Sequence, residues 1–434
     1  MFERICFILL INLVFFYRTL KLKYCSDDIP AFHNPPKFRN KLHKRFLWLI
    51  ASLRINPQED HALTTLLHAL TAVFVYTALG HNYISFITAI LFSFNPANNQ
   101  CSIWSSGRGY VLTALCLMIA MTFQYLSPFF ILLATTHPSG FFSPLAFLGS
   151  SKWYIVLPLP FFWWYGFKYM AKTVANRRAQ EAVDEDKKFN GNKIVLAIKT
   201  YGFYATLCII PFKITFYHSF LQSAAGSGKA LAYKKDKFFY IGCTLLAYML
   251  YSMFHWTAVS WGVLWYSICI APYINLMRMN QEVAERYIYL PSIGLMFALA
   301  NILIAYPLVV ALVISSYMTR LWFIMPMYTD DYWLLEHAVF EDPGAWYAWH
   351  IRAQKRFNQG CIREALNMWV MAKMLSPKEF KLNINIGVIL MMLKKHDEAL
   401  KFFKIAEDNI VPGQEKMANQ ILKEAREGKM PICT

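Results

Sequence analysis

The sequence predicts an all-α polytopic membrane protein of about eleven transmembrane helices, followed by a short helical-repeat domain from residue 326 onward. Three observations predict it. Of the 434 residues, 57% are hydrophobic and only 16% charged, where soluble domains carry about 45–50% and about 25%. Mean hydropathy is +0.32. Apolar runs of nearly membrane-spanning length recur between residues 4 and 323, then stop, and helix-period patterns replace them. A soluble enzyme and a disordered chain are both excluded by this composition.

The spans are expected at 4–20, 61–79, 82–95, 108–126, 127–147, 153–170, 194–213, 238–256, 258–276, 288–305 and 307–323. In the first, Arg4 precedes the apolar run Ile5–Tyr17, as in a secretory signal. No small-residue cleavage site follows, so it reads as a retained span. Pro307 divides the last run in two, because a helix interior does not tolerate proline. Three polar stretches are long enough to be structured loops: 21–60, 171–193 and 214–237. The last contains Gly226-Ser227-Gly228-Lys229, which suggests a phosphate-binding loop. That reading fails, because the motif is GxxxxGK[ST] and Ala230 follows the lysine. Beyond residue 325, Glu364-Ala365-Leu366 recurs as Glu398-Ala399-Leu400, and Pro343 recurs as Pro377, each 34 residues on. That period, with a small residue where two helices meet and a closing proline, matches the tetratricopeptide pattern. A helix from 413 is expected to cap the array.

The net charge is +17. In a membrane protein this reads as basic loops facing lipid headgroups, not as nucleic-acid binding. The basic loop 171–193 favours the cytoplasmic side by the positive-inside rule. Span parity then places 21–60, itself basic, on the opposite side. The nine cysteines include no CxxC pair, so neither a metal site nor a disulfide framework is expected.

Three polar constellations interrupt the apolar pattern. Asp27-Asp28 lies just beyond the first span, where one carboxylate would serve as general base for an acceptor hydroxyl; the alternative is a solvated turn or helix cap before Pro30. Trp104-Ser105-Ser106-Gly107-Arg108-Gly109-Tyr110 places a guanidinium at a helix start, a setting for an anion or for a cation reaching the interface. Asn280 to Pro291, with Arg278 just before it, packs Glu282, Glu285, Arg286, Tyr287 and Tyr289 against a span. Ionisable groups so close to lipid are used or paired, and an Arg286–Glu282 helix pair is the alternative. His61 and His68 are seven apart and share a helix face, where bonding to neighbouring helices competes with a proton or ligand role. Parity puts all three constellations and the C-terminal domain on one face of the membrane.

These residues resemble the transmembrane-and-tetratricopeptide protein O-mannosyltransferases and their bacterial relatives, of the GT-C glycosyltransferase fold. The resemblance covers most of the chain. It rests on Asp27-Asp28, on His61 and His68, on WSSGRGYVLTAL, on the repeats and, most specifically, on AERYIYLPSIG at 284–294. It implies a GT-C membrane domain over 1–325 and a tetratricopeptide domain over 326–434. The implied activity is inverting transfer of a sugar from a polyprenyl-phosphate donor to a Ser or Thr hydroxyl of a protein. Asp27 or Asp28 would be the base. Arg108, Arg278 and Arg286 would hold the donor phosphate, and His61, His68, Asn98, Gln100, Glu285 and Tyr287 would line the substrate pocket. No metal is assigned, and the polyprenyl-phosphate sugar is a substrate and not a cofactor. The implied partners are membrane lipid, that donor and an acceptor protein bound by the repeats. The implied location is the bacterial inner membrane or the endoplasmic reticulum, with the site on the periplasmic or lumenal side. The sequence departs from the family where Asn95, Asn98 and Gln100 replace titratable groups, Tyr110 replaces an acid, and Thr64 and Thr71 replace Asn. These departures imply a different sugar or acceptor, or lost activity. A non-catalytic membrane scaffold whose repeats dock a partner is therefore the competing expectation. A flippase is disfavoured, since 1–320 shows no internal repeat and few mid-span charges.

Overall fold

The computed structural model describes residues 1–33, 55–135, 137–140, 142, 145, 192–219, 235–252, 254–276, 283–410 and 415–427. Every regular element among them is helical. The first part contains α1 (Phe2–Phe15), α2 (Pro57–Ala78), α3 (Tyr83–Phe94), α4 (Arg108–Thr122), α5 (Ser127–Thr135), α6 (Lys193–Ile209), α7 (Lys237–Ser252), α8 (Ala258–Ile270), α9 (Tyr289–Leu303) and α10 (Pro307–Ile324). Each coincides with an expected span. The span expected at 153–170 lies outside the described residues.

The helix starts follow local chemistry. Asn56 caps α2 by accepting from the Glu59 amide at 2.9 Å, with Pro57 as the first helical residue. Asn82 caps α3 through the Ser85 amide. Thr257 and Ser260 form a reciprocal capping box on α8, which satisfies donors that the helix itself leaves open. Pro307 opens α10, as its sequence position predicts.

Among the described residues, three helices are long and apolar enough to cross a membrane unaided: Pro57–Ala78, Glu285–Leu303 and Pro307–Thr329. A fourth is added if Pro96–Ser102 and Ser105–Thr122, bent 92° apart, count as one span. Other apolar helices are shorter; α3 has 12 residues and α8 has 13. At 1.5 Å per residue such helices fall short of a hydrocarbon layer about 30 Å thick. Apolar runs in the sequence therefore overcount the helices that span alone.

Close packing rests on small residues. A Cβ on Gly262 would collide with the Gly294 carbonyl, and one on Gly294 with the Gly262 carbonyl, so α8 and α9 touch backbone to backbone. Trp265 of α8 then donates to the Leu290 carbonyl at 3.0 Å. The C-terminal ends of α1, α6, α8 and α10 and the N-terminal ends of α2, α4 and α9 gather at one end of this bundle, tied by the cross-links described below.

The second part runs through α11 (Asp331–Glu341), α12 (Trp346–Asn358), α13 (Ile362–Leu375), α14 (Phe380–Met392), α15 (His396–Glu407) and α16 (Glu415–Arg426). Neighbouring helices pack in sequence order. Ala365, Ala372, Ala399 and Ala406 are fully buried around Trp369 and Phe403. The Phe403 ring occupies the space that a side chain at Gly387 would fill. Met325, Met327 and Tyr328, and Leu334 of α11, pack into the core of the first part, and Asp330 caps α11.

The second part docks on the gathered helix ends. The Ser26 amide donates to Asp331 at 2.5 Å and the Lys23 amide to the Thr329 carbonyl at 3.2 Å. Asp342 accepts from the Ser219 amide and hydroxyl, both at 2.6 Å, and pairs with Lys213 at 3.1 Å. Arg320 of α10 pairs with Glu341 at 2.5 Å.

Candidate functional site

The three polar constellations meet at the end of the bundle on which the second part docks. The turn after α1 carries Asp27 and Asp28, and the backbone places them in unlike surroundings. Ser26 adopts a left-handed conformation, φ 52°, and Asp28 opens a short helix, Asp28–His33. Asp28 is fully buried, and its Oδ1 accepts from the Ser106 hydroxyl at 2.6 Å. Asp27 is exposed. Burial, then the neighbouring Tyr347 phenol, then the charge of Asp27 push the Tyr217 phenol up. Burial followed by Asp27 does the same to Tyr347. The exposed carboxylate therefore faces two phenols that stay protonated, whose rings lie 5.3 Å apart.

Trp104 joins this turn to the AERYIYL segment. Its indole Nε1 donates to the Cys25 carbonyl at 3.2 Å. The guanidinium of Arg286 lies 5.9 Å from the same ring and 5.1 Å from the ring of Tyr287, distances at which a cation is attracted to an aromatic face. Tyr287 is in turn stacked on Tyr273 at 4.2 Å. Both the amide and the guanidinium of Arg286 donate to Gln100 Oε1 at 3.3 Å. Arg286 is half-buried. The aspartate turn and Arg286 thus sit on two sides of one indole.

Arg108 is placed differently from the sequence expectation. It is fully buried and forms an ion pair with Asp60 at 2.9 Å, with both side chains inaccessible. It also donates to Thr64 at 3.2 Å and to the Asp60 carbonyl at 3.3 Å. The remaining Asp60 oxygen accepts from the Tyr24 hydroxyl and from the Ile55 amide. The charge of Arg108 is matched inside the protein, so its geometry is that of a structural clamp and not of a phosphate ligand. Gly107 makes the approach of α4 feasible: any Cβ there would collide with the Gln100 carbonyl.

His61 and His68 are also committed. His61 faces the Ile103 carbonyl through Nδ1 at 3.0 Å and the Lys23 carbonyl through Nε2 at 3.3 Å. His68 meets the Tyr289 hydroxyl at 2.7 Å and the Ser93 carbonyl at 3.1 Å. Both rings are buried and cross-link helices, so neither offers a free nitrogen to a pocket. Asn98 binds the Phe92 carbonyl at 2.9 Å and accepts from Ser292 at 3.2 Å, which corrects its assignment to the pocket in the same way. Glu285 is fully buried and engaged with Asn99, Thr215 and His218. Gln100 presents its carbonyl oxygen to Arg286, while its amide nitrogen is buried without a partner among the described residues. Arg278 and Glu282 lie outside the described residues.

Sequence reading missed Asp60, Ser106, Asn99, Thr215, His218 and Tyr328. Asp60 carries a recognisable signal, the second of two adjacent acids in the first turn of a span and four residues before Thr64, where a buried charge needs a partner. The other five are ordinary polar residues made significant only by contacts distant in sequence. The site residues left are the exposed Asp27 carboxylate and the partly buried Arg286 guanidinium, framed by aromatic rings and bonded to Gln100. Comparison with family models, with curated proteins and with solved structures returns no match.

Proposed function

We propose that this chain is an inverting membrane glycosyltransferase of the GT-C type, moving a sugar from a polyprenyl-phosphate donor to a protein hydroxyl. In this reading about eleven helices, several too short to span alone, form the membrane domain. The part from residue 326 onward is a tetratricopeptide domain on the periplasmic or lumenal face, which binds the acceptor. The supporting observation is the Trp104 bridge, with the Cys25 carbonyl on its indole nitrogen and Arg286 over its ring. In-line displacement of a phosphate needs a base on one side of the anomeric carbon and a cation on the other, and in this reading Asp27 and Arg286 supply them. The base takes the acceptor proton as the hydroxyl attacks the anomeric carbon, and the cation meets charge developing on the leaving phosphate.

In this reading the roles divide as follows. Asp27, exposed, is the base. Asp28, buried on Ser106, fixes the turn that presents it. Arg286, oriented by Gln100, receives the phosphate, and Arg108 holds α4 to α2. The test is transfer from a panel of dolichyl- and undecaprenyl-phosphate hexoses to a Ser/Thr peptide in proteoliposomes. Asp27→Asn is expected to lower turnover by at least about 100-fold while the protein still inserts and folds. Wild-type turnover in Asp27→Asn would overturn the assignment of the base.

A scaffold reading is favoured by one observation, the anchoring of both ends of α11 on the aspartate turn and on 213–219 through Asp331 and Asp342. It expects no transfer from any donor and partner binding that is unaffected by Asp27→Asn.

A further inference from the structure

The turn Glu285–Ile288 carries Arg286, and its neighbour Glu285 is a buried carboxylate with three partners at this end of the bundle. One Glu285 oxygen accepts from the Asn99 amide, whose own carbonyl oxygen accepts from the Tyr328 hydroxyl. The other accepts from the Thr215 amide at 2.6 Å and meets His218 Nε2 at 3.1 Å. Glu285 and His218 are buried, where a missing partner is costly and a satisfied network is stiff. Just before the turn, the Ala284 amide donates to Tyr204 at 3.2 Å. The backbone leading into Arg286 is therefore held at two consecutive residues, Ala284 and Glu285.

Thr215 and His218 belong to the segment 213–219. Its next residue, Ser219, is fastened by two hydrogen bonds to Asp342, and Lys213 pairs with the same carboxylate. Asp342 itself is buried and closes α11 of the second part. One short strap thus grips the Glu285 carboxylate at its middle and the C-terminal helices at its ends.

We propose that Glu285 is a positioning residue for Arg286, kept in register by the strap 213–219, and that Asp342 sets the strap from the C-terminal part. The proposal rests on the reading of Arg286 as the cation for the donor phosphate. It makes Glu285 and His218 determinants of donor affinity without contact with donor. It also makes the helical array a contributor to donor binding as well as to acceptor binding.

The experiment measures donor KM, kcat and the affinity for sugar-free polyprenyl phosphate on the full-length protein in proteoliposomes. Glu285→Ala and, independently, His218→Ala are expected to raise donor KM about tenfold and to weaken polyprenyl-phosphate binding by the same factor, with a smaller change in kcat. Glu285→Gln and His218→Gln keep a hydrogen-bonding atom in each place and are expected to restore most of the loss. Asp342→Ala is expected to raise donor KM severalfold although it lies outside the site. An unchanged donor KM in either alanine variant, no rescue by glutamine, or an Asp342→Ala effect confined to acceptor KM overturns the proposal. If Arg286→Ala itself leaves polyprenyl-phosphate binding intact, the phosphate site is wrong, and that result is distinct from failure of Glu285 and His218 to orient it.

Discussion

The two parts of this molecule bury polar groups to different degrees. In the membrane part, Asp28, Asp60, Arg108, Glu285, His61 and His68 are all buried at one bundle end and each is bonded to a partner from another segment. In the C-terminal part the core is mostly alanine, leucine, isoleucine and valine around Trp369 and Phe403, with the uncharged His350, Asn383 and Asn385 as its fully buried polar members, and ion pairs such as Arg426–Glu407 sit at the surface. The first part spends stability on a fixed polar arrangement, which is the signature of a site. The second is held by apolar packing, as a helical scaffold is, and is joined to the site through a few carboxylates.

That contrast is open to attack by mutation. The largest effect is expected from Arg108→Met, which leaves Asp60 buried without its countercharge. Removing one partner of a buried pair costs about 3–5 kcal/mol. Thermal unfolding in detergent should show the loss, and the double change Arg108→Met with Asp60→Leu should recover most of it. Equal losses in single and double variants would mean that packing, and not charge pairing, dominates there.

Trp369→Ala is expected to cost a comparable amount, about 3 kcal/mol or more, but locally. Limited proteolysis should cut beyond residue 330 while the membrane part keeps its melting profile. Loss of both together would show that the two parts fold as one unit and would weaken the comparison.

A pH dependence sharpens it further. Trp369 donates to Nδ1 of buried His350 at 3.1 Å, so this ring must be neutral at that atom. Burial, and then the charge of Lys381, lower the pKa of His350 from 6.5 to about 4. The unfolded chain therefore takes up this proton first. Stability of the C-terminal part is full above pH 6.5 and falls as pH drops towards 4, by up to about 3 kcal/mol. His350→Gln should flatten that profile when amide exchange is followed in residues 346–407.

The smallest effect belongs to the surface. Arg426→Ala removes a 2.7 Å pair with Glu407 that is nearly half exposed on both sides. Less than about 1 kcal/mol is expected by chemical denaturation, and a larger loss would mean that α16 is more than a cap.

Helix positions were legible because apolar runs, prolines and cap residues act within a few positions of one another. Asn56 before Pro57 marks a helix start without any tertiary information. The meeting of Asp27-Asp28, the WSSGR stretch and AERYIYL at one bundle end followed from helix parity. The roles within that meeting did not. Arg108 and Arg286 look equivalent in sequence, yet one is neutralised by Asp60 and the other rests half-exposed against Trp104 and Tyr287.

The sequence by itself determined that the chain is helical, where most of its helices begin, and that its polar residues cluster in a few stretches, because those properties depend on neighbours along the chain. Tertiary structure alone decided which of the described helices are long enough to cross a membrane unaided, which aspartate is exposed, and which arginine is fully buried against a carboxylate. Those depend on burial and on partners dozens to hundreds of residues away, such as Ser106 for Asp28 and Thr215 for Glu285. A charge is functional or structural according to what stands opposite it, and no local pattern records that.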